Sequence, residues 1–127
     1  MDLKLEGKTA LVTGASMGIG RAIARALAAE GVEVCLAARR AELLEALGAE
    51  IEAAGHARAH VAPVDLAQEG SPAKLASAAI DALGHVDILV NCAGGSQPAI
   101  DIHAPESAWE AAMTLNFVRV RQLTHAP

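Results

Sequence analysis

The fold of this 127-residue chain is decided by the stretch Thr13-Gly14-Ala15-Ser16-Met17-Gly18-Ile19-Gly20. The stretch follows a short strand-like run, Thr9 to Thr13, and leads into a segment of helical period from about Gly18 to Glu30. In this Gly-x-x-x-Gly-x-Gly spacing, one glycine permits a tight turn, another lets the backbone approach a ligand, and the third lets the helix pack closely. The stretch therefore predicts the strand, turn and helix of a first βα unit.

The alternation of strand and helix repeats along the rest of the chain. Further strands are predicted at Val32–Ala37, Ala59–Val64 and Val86–Cys92. The last run is apolar after Asp87, as in a strand covered by helices on both faces, so we expect it to be central in the sheet. Parallel strands joined by crossover helices predict an α/β fold, a Rossmann-type doubly wound parallel sheet forming a single domain.

Capping signals predict where the helices begin and end. The second helix is predicted at Ala41–Ala54, and the third is predicted to open with Ser71 as its N-cap and to close at Gly84. The spacing Ser107-x-x-Glu110 predicts a capping box for a final helix running towards Ala126. The face of the first helix that packs on the sheet is predicted to consist of Ile19, Ile23, Ala26 and Leu27.

Composition and charge narrow the classes of function. Hydrophobic residues make up 53% of the chain and charged residues 20%, which predicts a folded domain. The formal net charge of −5 and the lack of a basic stripe disfavour a nucleic-acid partner. The 5 histidines and 2 cysteines show no metal-ligand spacing, so we expect no metal site.

The first residues and the apolar runs bear on location. Met1 to Glu6 has no apolar signal-peptide core, and runs such as Val86 to Val90 have the length of strands. They are far shorter than the roughly 20 residues that span a bilayer. We therefore expect a cytoplasmic protein with no membrane partner.

The glycine-rich stretch and the end of the second strand suggest a ligand. The N-terminus of the first helix offers unpaired N–H groups to an anion such as a pyrophosphate. An acidic residue would bind the ribose of NAD about 20 residues on, but the sequence there is Ala37-Ala38-Arg39-Arg40. A guanidinium of Arg39 would pair with the extra phosphate of NADP, which favours NADP over NAD. The alternative is that Arg39 and Arg40 are solvated residues at the start of the next helix.

Four landmarks in order give the chain a resemblance to the short-chain dehydrogenase/reductase family. They are the stretch from Thr13 to Gly20, Asp65-Leu66 after the third strand, Asn91-Cys92-Ala93-Gly94, and Asn116 in the last helix. The family has Asn-Asn-Ala-Gly at the third landmark, so Cys92 departs from its pattern. The resemblance extends from Leu5 to the end of the chain.

The resemblance implies a set of site residues. Asn116 corresponds to a catalytic Asn, although it could equally be a polar residue on a helix flank. Asp65 corresponds to an adenine contact, although it could instead cap a turn. The residues expected at the cofactor, Arg39 among them on its own argument, are Gly14, Ser16, Met17, Gly18, Ile19, Gly20, Arg39, Asp65, Leu66, Asn91, Ala93 and Gly94.

The rest of the family's catalytic set is not found in the sequence. The family uses a Ser and a Tyr-x-x-x-Lys pair, whereas this chain has no Tyr and its lysines are Lys4, Lys8 and Lys74. The chain also ends at Pro127 inside a helical pattern, which predicts a domain truncated after about four strands and incomplete at its C-terminus. We expect the chain alone to be catalytically inactive and to self-associate or to be of low stability.

The sequence leaves three functions as hypotheses. The first is an NAD(P)-dependent oxidoreductase that reduces a ketone or oxidises a secondary alcohol, represented by its cofactor-binding half. By resemblance, its complete form would act on a small-molecule carbonyl or alcohol and would be a homo-oligomer. The second hypothesis is a non-catalytic dinucleotide-binding module. The third is an S-adenosylmethionine-dependent methyltransferase, which also has a Gly-rich turn after its first strand.

Overall fold

The computed structural model describes residues 3–93 and 106–125. Its strands form one parallel sheet in the order β3-β2-β1-β4. They are β1 Thr9–Thr13, β2 Glu33–Ala38, β3 His60–Pro63 and β4 Ile88–Asn91. The chain runs outward from β1 to β3 and then returns to place β4 on the other side of β1. This reversal is the switch point of a doubly wound sheet, and it confirms the predicted Rossmann-type α/β fold.

Helices alternate with the strands along the chain. They are α1 Gly18–Ala29, α2 Ala41–Ala53, α3 Ser71–Leu83, α4 Glu106–Met113 and α5 Arg119–Thr124. A π-helical turn, Thr114–Val118, joins α4 to α5 without a break. In the part of the chain that the structure describes, no helix is long and apolar enough to cross a membrane.

Each strand sends alternate side chains to opposite faces of the sheet, so the core has two halves. On β1, Val12 belongs to the half that contains the buried leucines of α2, whereas Leu11 belongs to the half formed with α3 and α5. On β2, Leu36 belongs to the half with α2, and Cys35 belongs to the half with α3 and α5. Helices therefore cover both faces, as the doubly wound prediction requires.

The predicted packing face of α1 was wrong at Ile19 and Ala26, whereas Leu27 packs against the core. The buried positions are Gly20, Ala24 and Ala28, whereas Ile19 is 75% exposed and Ala26 is also exposed. Small residues face the sheet because they let the helix backbone approach the strands closely. The larger Ile23 and Leu27 lie half-buried at the edge of this contact.

Two cap predictions were also wrong. The N-cap of α3 is Gly70, in the left-handed region at φ 79°, and Ser71 is the first helical residue. The Ser71 hydroxyl donates backwards to the carbonyl oxygen of Gln68 at 2.7 Å instead of capping the helix. Helix α4 already begins at Glu106, so Ser107 is inside the helix and does not occupy the N-cap position.

The predicted central position of β4 differs from the structure. Among the described residues β4 pairs only with β1, and it forms the edge of the sheet. Its residues Ile88 to Val90 are half-buried where full burial was expected. The other strands and the first three helices lie within two residues of their predicted bounds, whereas the single final helix that was predicted is interrupted by the π-helical turn between α4 and α5.

Candidate functional site

The candidate site lies at the carboxyl ends of β1 and β4, where the two strands finish level with each other. Thr13 and Asn91 are register partners at this end of the sheet. The chain leaves β1 through the glycine-rich loop and enters α1, whose N-cap, Met17, is extended and makes no side-chain capping hydrogen bond. The first amide bonded back along the helix is that of Arg21, which donates to Met17 O at 3.5 Å. Among the described residues, the N-terminal amides before it have no acceptor and are the unpaired donors of a helix start.

Gly14 is required by close backbone contact. It has φ +65°, and a Cβ built on it would lie 2.5 Å from Cys92 O and 2.8 Å from Ala93 N. These neighbours are backbone atoms and cannot move aside as a flexible side chain can. The loop after β1 and the segment after β4 are therefore in direct contact, so the first and third sequence landmarks lie together.

Gly20 and Gly18 play different parts in the same loop. A Cβ on Gly20 would overlap the carbonyl of Gly14, so this glycine lets α1 fold back onto the loop. Gly18 has φ +63°, and a Cβ on it would meet nothing within 4 Å. Within the part of the chain that the structure describes, one side of the loop is thus closed by packing and the other side is open. Beside the opening, Met17 and Ile19 are 61% and 75% exposed, and Ser16 is half-buried.

The buried hydroxyl of Thr13 holds this arrangement together. It accepts hydrogen bonds from the N–H groups of Cys92 and Ala93, both at 3.1 Å, and donates to Val90 O at 3.3 Å. Thr13 is only 1% exposed. Thr13 stands at the head of the stretch that was singled out from the sequence, but its role as a clamp was not anticipated.

A second part of the site lies at the ends of β2 and β3. A cleft of about 530 Å³ is lined by the exposed Arg39 after β2 and by Asp65 after β3. Lys74 of α3 lines the same cleft, and sequence analysis did not single it out. Among the described residues, neither Arg39 nor Lys74 forms an ion pair. The parallel arrangement therefore brings Arg39 and Asp65 into one cleft, where the positively charged side chain of Lys74 lies as well.

Asp65 and Leu66 are engaged within the protein. Asp65 Oδ1 accepts a hydrogen bond from the N–H of Ala67 at 3.0 Å, and Asp65 O accepts one from Gln68 N–H at 3.1 Å. This is the turn-capping role that the sequence left open as an alternative. The Leu66 side chain is buried in the core half that faces α3 and α5, so a ligand in the cleft could reach Leu66 only through its backbone.

The remaining candidates lie near the last helical segment. Asn91 is exposed at the end of β4, and its amide donates to the Thr124 hydroxyl at 3.3 Å, joining β4 to α5. Asn116 is exposed in the π-helical turn. Such turns occur frequently at functional sites, because they interrupt regular helical bonding. Gly94 lies outside the described residues.

Arg119 is a residue that sequence reasoning missed. Its Nε donates to Leu66 O at 2.9 Å, and its Nη2 lies 3.4 Å from Ala67 O. These partners are 53 and 52 positions away in the chain, so no local pattern could have indicated the contact. Arg119 thereby links the loop after β3 to the helix that carries Asn116.

A parallel sheet with a switch point between β1 and β4, and a glycine-rich loop leading into a helix there, defines a protein of the Rossmann-type α/β class. Members of this class bind dinucleotides at that point of the sheet. A model of the short chain dehydrogenase family matches residues 8–126. The chain belongs to that family of oxidoreductases.

Relatives and solved structures are similar over nearly the whole chain. A 3-oxoacyl-[acyl-carrier-protein] reductase of rhamnolipid biosynthesis from Pseudomonas aeruginosa is 40% identical over 116 residues, which are 91% of this chain and 44% of the reductase. The structure of a metagenomic short-chain oxidoreductase in complex with NADP has a TM-score of 0.88 at 38% identity, covering 95% of this chain and 55% of the other.

A third similar protein is a 7α-hydroxysteroid dehydrogenase, solved with NADH and 7-oxo glycochenodeoxycholic acid. It has a TM-score of 0.90 at 36% identity, covering 97% of this chain and 48% of the other. The chain thus spans about half the length of each of these three proteins. The structures of this family include complexes with NADP and with NADH.

Proposed function

We propose that this chain is the dinucleotide-binding part of an NAD(P)-dependent oxidoreductase that interconverts a ketone and a secondary alcohol. The observation that carries the proposal is the loop from Gly14 to Gly20, packed against Cys92 and Ala93 on one side and open on the other. Its open side and the unpaired amides at the start of α1 fit a pyrophosphate group. Gly14, Ser16, Met17, Gly18, Ile19 and Gly20 would bind it.

The cleft after β2 and β3 would hold the adenosine half of the cofactor. Asp65 lines the β3 side and Arg39 lines the β2 side. Leu66 follows Asp65 in the chain, and we propose that it contacts the cofactor through its backbone. A guanidinium pairs well with a phosphate oxygen, so Arg39 supports NADP as the preferred cofactor. Lys74 adds a second positive charge to the cleft, and Asp65 and Glu69 add two negative charges. Family members are found with either cofactor, so we infer NADP over NAD from Arg39 itself and not from the summed charge of the cleft.

The nicotinamide end would lie towards Ala93, Gly94 and Asn91, with Asn116 as the catalytic residue of this chain. When bound, the cofactor supplies or accepts the hydride. The chain has no Tyr to carry the accompanying proton. We therefore propose that these 127 residues bind cofactor without catalysing the reaction. The absence of Tyr favours, as the alternative, a non-catalytic dinucleotide-binding module. The match to the short chain dehydrogenase family removes the methyltransferase as a candidate.

For the substrate and the oligomeric state we propose only a general class. By analogy with the reductase and the dehydrogenase named above, we propose a small-molecule carbonyl or alcohol substrate. Met113 and Phe117 are large apolar side chains exposed on the α4 and π-helical segment, which supports a homo-oligomer formed through this helix. We also propose a cytoplasmic location.

Titration calorimetry of the chain with NADPH and NADH tests the proposal. We expect NADPH to bind more tightly, and Arg39→Ala to weaken NADPH by about tenfold or more while leaving NADH nearly unchanged. Arg40→Ala is the matched control, because Arg40 is the adjacent exposed arginine and does not line the described cleft. Failure to bind either nucleotide would overturn the proposed function. Equal binding of both would overturn only the preference for NADP.

A further inference from the structure

The loop of residues 65–70, between β3 and α3, is stabilised internally by its own polar groups. Asp65 accepts hydrogen bonds from the amides of Ala67 and Gln68, and Gln68 O accepts from both the amide and the hydroxyl of Ser71. These bonds define the shape of the turn and join it to the first residue of α3, and the buried Leu66 side chain packs into the core. The carbonyls of Leu66 and Ala67 are left for a partner outside the loop.

Arg119 is that partner. Its guanidinium contacts the Leu66 and Ala67 carbonyl oxygens through two different nitrogens, at 2.9 and 3.4 Å. Its third nitrogen, Nη1, donates to Gln122 Oε1 at 3.0 Å, which orients the guanidinium from one turn further along α5. A planar cationic fork can hold neighbouring carbonyls at once, which a single ammonium group cannot do as well. Arg119 is half-buried, and its bond to Leu66 O is partly shielded from water, whereas its contact with Ala67 O is exposed.

The π-helical turn sets the direction from which Arg119 reaches the loop. The amide of Arg119 donates to Thr114 O, five residues earlier, and this bond closes the turn that contains Asn116. An extra residue in a helical turn rotates the next part of the helix by about 100° around its axis, compared with an uninterrupted α-helix. The same turn therefore presents Asn116 and aims Arg119 at the loop after β3.

We infer that Arg119 is a positioning residue that holds loop 65–70 in place for the adenosine half of the cofactor. This inference rests on the proposed function, because it takes the cleft beside Asp65 as the adenosine site. The guanidinium does not line the cleft itself and acts through the backbone of the loop. It also ties the proposed adenosine site to the helix of the proposed catalytic Asn116.

The test compares Arg119→Met with Arg121→Met in the 127-residue chain. Met keeps much of the arginine stem and loses every donor. Arg121 is an exposed arginine on the same helix, and its side chain makes no hydrogen bond or ion pair with a described residue. We expect Arg119→Met to weaken adenosine 2′,5′-bisphosphate binding by about tenfold. Arg121→Met should stay within about twofold of wild type, and Arg119→Lys should fall between the two.

Amide hydrogen exchange supplies a readout that does not depend on any ligand. In Arg119→Met the amides of Ala67 and Gln68 should exchange faster, while the amide of Leu36 in the core should keep its protection. Faster exchange at Leu36 as well would indicate general unfolding, and Arg119→Lys would then be the variant to measure. Nicotinamide mononucleotide binding should be unchanged, because that half of the cofactor does not reach the loop.

The outcomes separate the inference from the proposed function. If wild type binds neither NADPH nor adenosine 2′,5′-bisphosphate, the proposed function fails and the inference fails with it. If wild type binds but Arg119→Met, or Arg119→Lys where Met unfolds the chain, binds equally well, the inference alone is overturned. Faster exchange at Ala67 with unchanged affinity also overturns it, because the contact would then stabilise the loop without serving the ligand.

Discussion

The side-chain oxygen of Thr13 accepts a hydrogen bond from the backbone N–H of Cys92 at 3.1 Å, across the carboxyl ends of β1 and β4. The next amide, that of Ala93, donates to the same oxygen at the same distance. Thr13 is buried and the two amides are half-buried, and these bonds direct the chain after β4 past the glycine-rich loop. One hydroxyl thus determines how two of the sequence landmarks meet.

Thr13→Val should destabilise the fold, because it keeps the shape of the side chain and leaves these two amides without an acceptor. We expect the free energy of unfolding to fall by about 2 kcal/mol, the usual cost of unsatisfied buried donors. Thr13→Ser retains the hydroxyl and should lose less. Urea denaturation followed by circular dichroism measures both variants, and a Thr13→Val chain as stable as wild type would contradict the role of the hydroxyl.

Gly20→Ala should have two opposing effects, a gain in helix propensity and a loss in packing. Alanine in a helix interior is favoured over glycine by about 1 kcal/mol, but here its Cβ would overlap the Gly14 carbonyl. We expect packing to dominate, with a lower melting temperature and weaker NADPH binding. Gly48→Ala in α2 is the matched control, since its Cβ would meet only Ala59 O at an ordinary 3.9 Å. That substitution should raise the melting temperature, and a rise in both variants would show that α1 can move away from the loop.

Asp87 should make stability depend on pH in the acid range. Its pKa is lowered below the ordinary 3.8, first because Thr9 N–H donates to Oδ2 at 2.9 Å and further because His85 lies near, which together outweigh the opposing effect of desolvation. A carboxyl whose pKa is lower in the folded than in the unfolded state stabilises the fold at pH values above its unfolded pKa. This contribution is lost as the pH falls through the folded pKa.

The urea midpoint of Asp87→Asn should therefore lie below that of wild type at neutral pH. The difference should shrink as the pH falls below 3.8. The control is Asp81→Asn, which removes an exposed carboxylate of α3 that forms no ion pair with a described residue and should change the acid limb little. A constant difference between wild type and Asp87→Asn at every pH would count against the assigned titration.

The two cysteines should react at different rates. Burial raises the pKa of Cys35 to about 11, so its thiolate is scarce near neutral pH, whereas Cys92 is half-exposed beside the glycine-rich loop. Iodoacetamide at about pH 8 should alkylate Cys92 first, because the thiolate is the nucleophile. Peptide mapping by mass spectrometry measures the order, and unfolding in urea should remove the difference. Equal rates in the native chain would contradict the burial of Cys35.

The order of strands and helices could be predicted because it depends on local sequence patterns. Short β-branched runs, amphipathic spacing and glycine at the joints each act over a few residues. The prediction failed where a local pattern competes with tertiary packing. On α1, apolar spacing pointed to Ile19, but close approach to the sheet selected Gly20 and placed Ile19 in solvent.

The residues of the candidate site could also be predicted only in part. Arg39 and Asp65 could be expected to meet, because both come after parallel strands and the carboxyl ends of such strands lie at one edge. Lys74 joins them only through the way α3 packs over β3, and Asp65 turns out to be engaged in its own turn.

The sequence by itself determined that this chain forms a doubly wound α/β sheet with a glycine-rich turn after β1, because steric freedom at glycine and the periodicity of apolar residues are local properties. Only the tertiary structure decided that the Thr13 hydroxyl reaches Cys92 and that Arg119 reaches the Leu66 carbonyl. These contacts join groups far apart along the chain. They depend on the register of β4 against β1 and on the rotation introduced by a π-helical turn, and no pattern of neighbouring residues encodes either one.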